Sequence, residues 1–244
     1  GERRELLSGY FSAITAMDEN IGRLIDWLEA NDLRENTLIV FTADNGMSMG
    51  HHGIWGKGNG TYPANMFDTA VKVPTLISRP GHVPEGEVEL NLLSHYDLMP
   101  TILDYVQLGY LIGDVRDSLP GTSFTSILDG QVQVGDRPVV VLDEYGPTRM
   151  IRTQSLKYIH RYPNGPNEFY DLANDPNETV NAIDDVAFRS IIRNMAKELQ
   201  EWFDRYSEPE HDGSKQDVKG RGQIDLVEGE EQAFAQDLAF MRDL

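Results

Sequence analysis

Thr37-Leu38-Ile39-Val40-Phe41-Thr42-Ala43-Asp44-Asn45-Gly46 runs from an unbroken, β-rich apolar segment straight into a polar turn. A run of this kind predicts a buried strand, typically parallel, in a sheet covered on both faces. Upstream, Leu7, Tyr10, Phe11, Ile14, Met17, Ile21, Leu24, Ile25 and Leu28 recur at helical spacing. They predict an amphipathic helix over about 5–30 with Asn31 as its stop. Helix followed by buried strand is an α/β signature. Downstream of the turn comes a glycine-rich loop, Gly50-His51-His52-Gly53-Ile54-Trp55-Gly56-Lys57-Gly58-Asn59-Gly60. In open α/β sheets, ligand sites lie beyond the carboxyl ends of strands, so this loop is a site candidate on topology alone.

The rest of the chain divides by pattern. A second strand is expected over 73–78, a short one over 92–94, and then a helix capped by Asp97 with Pro100 in its first turn. From about residue 131, short strands over 138–144, 149–153, 156–162 and 168–172 alternate with turn residues and predict an antiparallel meander. Phe188, Ile191, Ile192, Met195, Leu199, Trp202, Phe203 and Tyr206 share one face of a following helix. The expected organisation is an α/β portion over 1–130, a small α+β domain over 131–206, and a polar tail over 207–244 in which Phe234, Leu238, Phe240 and Met241 form a short helix.

The 244 residues carry a formal net charge of −19, a poor match to nucleic acid or anionic lipid. There is no cysteine, which excludes disulfides, thiolate metal sites and cysteine nucleophiles within these residues. No run approaches the roughly 20 apolar residues of a membrane helix.

Asp44 and Asn45 place a carboxylate and an amide oxygen side by side at a strand end, a pairing that suits a hard cation such as calcium or magnesium. In isolation Asp-Asn-Gly reads first as a simple turn. Lys57 reads either as a solvated loop lysine or as an anion contact. His51 and His52 can each serve as a proton donor near neutral pH or simply hold a backbone partner. Arg152 and Lys157 can reach a substrate from the small domain, although paired surface charges are the simpler reading. Asp18, on the polar side of its helix, is assigned a structural salt link.

Five blocks in order carry a resemblance. They are 36–46; Gly50-His51-His52-Gly53-Ile54-Trp55-Gly56-Lys57; Val73-Pro74-Thr75-Leu76-Ile77-Ser78-Arg79-Pro80-Gly81; Tyr96-Asp97-Leu98-Met99-Pro100-Thr101-Ile102-Leu103; and Glu168-Phe169-Tyr170-Asp171-Leu172-Ala173-Asn174-Asp175-Pro176-Asn177-Glu178. Together, over residues 8 to about 205, they resemble the sulfatase family of the alkaline-phosphatase superfamily, in its C-terminal part only. The resemblance implies an α/β fold: the C-terminal portion of a mostly parallel sheet with flanking helices, followed by the small α+β domain. It implies hydrolysis of a sulfate ester by the intact protein, on a sulfated small molecule or sulfated carbohydrate, and a periplasmic or extracellular location. Asp44 and Asn45 would be two of four ligands to a divalent metal, usually calcium. Lys57 would contact a sulfate oxygen and act in catalysis, with His52, and less directly His51, near the substrate.

The same resemblance exposes departures. The family's nucleophile is a formylglycine made from Cys or Ser in a Cys/Ser-x-Pro-x-Arg motif, and these residues hold no such motif. The chain is therefore expected to be a fragment, inactive alone, weak for calcium, and completed by an N-terminal half that would otherwise leave a sheet edge open. Two alternatives stand beside this one. One is a phosphonate or phosphodiester hydrolase of the same superfamily; the other is a non-catalytic binding domain with a vestigial site.

Overall fold

A computed structural model describes residues 2–61, 63–131, 137–143, 148–162 and 165–212. The expected tail helix around Phe234 to Met241 lies outside the described residues, as do the turn residues Tyr145, Gly146 and Pro147. The chain opens with helix α1, Glu2–Ala30. It ends where expected, with Asn31 Nδ2 donating to the Trp27 carbonyl at 2.7 Å. Its apolar stripe is not covered by any described element: Phe11, Ile14, Met17, Leu24 and Trp27 are exposed, and Leu28 alone is buried. Asp18 is exposed and makes no ion pair among the described residues, so the expected salt link is absent.

Strand β1, Ile39–Phe41, is shorter than the apolar run and only half-buried. Next come β2, Ser48–Met49, and β3, Trp55–Gly56. The four-residue helix α2, Asp68–Val71, leads to β4, Leu76–Ser78. The expected parallel pairing is wrong for these residues: β1 pairs with β4 antiparallel, Val40 opposite Ile77. The reason is where the excursion between them starts and stops. The Thr42 and Thr75 hydroxyls meet at 3.0 Å, so the chain leaves and re-enters the pair at one end. A parallel partner would require a crossover to the opposite end. All sheets among the described residues are antiparallel, and Leu76 is 65% exposed rather than buried in a covered sheet.

Residues 92–94 form no strand; they run into a single turn of 3₁₀-helix, His95–Asp97. Helix α3, Leu98–Tyr105, follows, with Pro100 in its first turn. Asp97 does not cap it by the expected side-chain bond. Its fully buried carboxylate instead accepts from the backbone N–H of Ser94 and Thr122, both shorter than 2.9 Å, and pairs with Arg137. Burial of a carboxylate demands such donors, and the preceding turn and the 122 loop supply them. Helix α4 is Thr125–Leu128.

Strands β5, Val139–Leu142; β6, Thr148–Arg152; β7, Leu156–Arg161; and β8, Glu168–Asp171, form one antiparallel meander. Side chains alternate across a strand, so the register sorts them into two faces. One row, Val140, Ile151, Tyr158 and Phe169, packs under helix α5, Arg189–Tyr206, through Met195, Leu199 and Phe203. The other face carries Met150, Ile159 and Tyr170, and it packs against Met66, Phe67 and Val71. The meander is therefore covered on both sides: by its own helix, and by the segment that precedes and forms α2.

Candidate active site

The loop after β1 is folded as a short hairpin. Ser48 pairs with Gly56 and Met49 with Trp55. Gly50 turns the chain at φ +95°, where a side chain would be strained. Of the five glycines from 50 to 60, Gly50, Gly53 and Gly56 adopt positive φ and Gly58 and Gly60 do not. Continuing the antiparallel register by one residue sets Lys57 level with Met47, two residues on from Asn45. The hairpin thus folds the segment that carries Lys57 back alongside the residues that follow the Asp44-Asn45 turn.

Asp44 is exposed and its Oδ1 accepts the Asn45 N–H at 2.8 Å; Asn45 Nδ2 donates to the Gly46 carbonyl at 2.8 Å. Asp44 Oδ2 and Asn45 Oδ1 have no hydrogen-bond partner among the described residues, leaving two hard oxygens turned away from the chain's own donors. This donor set fits part of the shell of an oxygen-loving cation, which takes about six to eight oxygens. The described residues hold no cluster of three or more His, Cys, Asp or Glu that would complete it. Lys57 is exposed, and among the described residues its ammonium has no acid partner, while its carbonyl accepts from Gly60 N–H and Asn65 Nδ2.

The two histidines separate. His51 Nδ1 accepts from the Met49 N–H at 3.3 Å, which places the proton of the neutral ring on Nε2. His52 sits at φ +53° with its ring stacked on Phe67, centroids 3.7 Å apart and planes within 5°. Both are exposed on their other sides.

The floor of the hairpin is the segment 64–72. Gly46 N–H donates to the Ala70 carbonyl at 2.8 Å, and buried Ser48 shares a 2.7 Å hydrogen bond with Thr69. Buried Asn65 binds Lys57 O, Gly58 O and Thr61 Oγ1 through one amide nitrogen. Arg152 and Lys157 do not reach toward this site, nor do they lie on the surface. Arg152 binds both Asp68 carboxylate oxygens at 3.0 and 2.9 Å. Lys157, completely buried, holds Met66 O at 3.0 Å, Asp68 Oδ1 at 2.6 Å and the Glu178 carboxylate. Arg161 adds two bonds to Ala64 O. Burial raises the Asp68 carboxyl, but Arg152 and Lys157 more than offset it and leave it below the usual carboxylate range. Burial dominates at Glu178, which stays raised despite Lys157 and the Asp68 N–H. Asn65, Phe67, Asp68 and Glu178 were not singled out from sequence as floor or clamp residues; a buried Lys paired with two carboxylates has no local signature.

Comparison with known proteins identifies the family. A family model described as Sulfatase matches residues 1–108. The uncharacterized sulfatase YidJ of Escherichia coli strain K12 is 30% identical over 82% of the chain and 38% of its own length. A protein solved in complex with its substrate D-glucosamine-2-N,6-O-disulfate superposes with TM-score 0.68 at 27% identity, covering 82% of this chain and 40% of its own. The phosphonate monoester hydrolase of Agrobacterium radiobacter gives TM-score 0.61 at 27% identity, over 78% and 39%. The chain thus spans about two fifths of the length of the proteins it matches.

Proposed function

Since the chain belongs to the sulfatase family of the alkaline-phosphatase superfamily and matches the C-terminal part of its relatives, we propose that it supplies one wall of a sulfuric ester hydrolase site. In this reading Asp44 and Asn45 are two ligands of a divalent cation, calcium by family resemblance. Lys57 donates to a sulfate oxygen, and His52 donates toward the leaving group, with His51 beside it.

One observation supports the proposal: the β2–β3 pairing folds the segment that carries Lys57 back toward the turn that carries Asp44 and Asn45. In this reading the adjacent Asp44 and Asn45 and, across the hairpin, Lys57 act together on one anionic ester. The chemistry follows from charge. Hydrolysis breaks the bond between sulfur and the bridging oxygen, and that oxygen gains negative charge as it leaves as an alcohol. The cation, when bound, would neutralise charge on the sulfate. An unpaired ammonium fixed on a rigid hairpin adds a donor that needs no reorganisation during the reaction. His52 is exposed toward the same loop surface and can hand a proton to the departing oxygen. In this reading the attacking group, a formylglycine by family resemblance, and the remaining metal ligands would come from outside these 244 residues.

The substrate class is a sulfated carbohydrate, supported by the relative solved with glucosamine disulfate. A second reading, phosphonate monoester hydrolysis, is favoured by the likeness to the Agrobacterium enzyme. The test is turnover by the full-length protein of an aryl sulfate and an aryl phosphonate monoester, with and without Lys57→Ala. The proposal predicts preference for the sulfate and a loss of roughly 10²- to 10³-fold in kcat for the variant. Equal or better phosphonate turnover favours the second reading, and an unaffected variant removes Lys57 from the site.

A further inference from the structure

Phe67 lies between the glycine-rich loop and the meander. Above it, His52 stacks ring on ring at 3.7 Å. Below it, Tyr170 of the meander meets its ring at 6.1 Å, and the cluster of Met66, Met150, Ile159, Tyr170 and Leu172 surrounds its base. The backbone on both sides of Phe67 is pinned. Lys157 holds the carbonyl of Met66 on one side and the carboxylate of Asp68 on the other. Glu178 accepts the Asp68 N–H at 2.6 Å, and Arg152 clamps the same carboxylate. Strand alternation puts Arg152 and Lys157 on the meander face that looks at this segment.

The clamp is more than covering a hydrophobic face requires. Burying two cations and two carboxylates is expensive unless every one is paired, and here each is. What the arrangement delivers is a fixed aromatic platform. His52 itself occupies a left-handed backbone conformation on an exposed loop tip, and no hydrogen bond holds its ring among the described residues. Its orientation is defined by Phe67.

We infer that Phe67 is a positioning residue for His52, and that the Lys157–Asp68–Glu178–Arg152 set carries the fold of the C-terminal meander into the site. This rests on the reading of the loop as the wall of a hydrolase site. A stacked imidazole keeps its donor edge in a plane parallel to the Phe67 ring. Removing the platform frees the ring to rotate without removing any group that binds sulfate. The step that needs proton donation should therefore suffer while substrate binding does not.

The experiment compares Phe67→Leu, Phe67→Tyr and Lys57→Ala in the full-length protein, by steady-state kinetics on an aryl sulfate and by NMR with isotopically labelled histidine. The native His52 ring resonance should be displaced upfield by the stacked ring. Phe67→Leu should return it to an ordinary position and lower kcat on the order of 10-fold with KM changed by less than about 2-fold. Phe67→Tyr, which keeps the ring, should preserve both. A native resonance without displacement, a Phe67→Leu protein with full kcat, or a loss expressed in KM overturns the inference. If Phe67→Leu does not fold, Phe67→Tyr and the native resonance still decide. Full kcat in Phe67→Leu with a damaged Lys57→Ala leaves the site reading standing and discards the platform. Full activity in Lys57→Ala discards the site reading, and the platform's role in it.

Discussion

At Gly46 a Cβ would lie 2.3 Å from the Thr69 carbonyl oxygen and 3.0 Å from that of Lys72. Both are backbone atoms, which cannot swing aside as a side-chain tip can. The close approach lets the Gly46 N–H reach the Ala70 carbonyl and seats the Asp44-Asn45 turn on α2. Gly46→Ala should thus destabilise by about 1–3 kcal/mol through overpacking, measured by urea unfolding. A change under about 0.5 kcal/mol would show that the turn is free to shift. This requirement was only half legible in the sequence. Asp-Asn-Gly announces a turn, because those residues tolerate it. That its glycine is required by a neighbour 23 positions away is a packing fact. His51 and His52 show the same limit. They are adjacent and chemically identical, and the resemblance ranks His52 first, but their contacts, one bonded to its own loop and one resting on Phe67, are seen only in the structure.

Among the elements, the meander and its facing segment are the best-defined joint. The strands are readable as short segments set off by turn residues, and α5 from its period, with Met195, Leu199 and Phe203 on one helical face. What periodicity cannot show is a charged residue at a buried position. Lys157 falls in the apolar string Leu156-Lys157-Tyr158-Ile159, where a lysine invites a surface reading. Its side chain is 0% exposed, and that of its partner Glu178 is 2% exposed. By contrast the Lys197–Glu201 pair on α5 is 76% and 63% exposed. Magnitude separates them. Lys157→Met leaves the buried Glu178 carboxylate without its cation, while Arg152 still holds Asp68, and should destabilise by about 3–5 kcal/mol. Lys197→Ala should change stability by at most about 1 kcal/mol. Chemical denaturation of both variants checks the contrast; comparable values would mean the buried set is not the joint. Antiparallel β1–β4 pairing was missed for a related reason. An apolar run reports that a strand is buried, not which end its partner enters from, and here the partner re-enters beside Thr42.

For the whole molecule, the family was legible because it depends on ordered blocks of sequence rather than on any single contact. The catalytic assignment depends on something different: whether residues 44, 45 and 57 act on one charge. The apolar stripe of α1 and the exposed Leu76 show how much surface the chain presents beyond its own packing. Activity is accordingly a property to be measured on the full-length protein, of whose relatives this chain spans about two fifths. Residues that serve one transition state lose their effects together rather than independently. The most direct test is a double-mutant cycle on kcat/KM for an aryl sulfate, with Asp44→Ala, Lys57→Ala and the pair. The account predicts that each single change removes most of the activity and that the double variant is scarcely worse than the weaker single. Losses that multiply in full, or a single variant with native activity, would contradict a shared site.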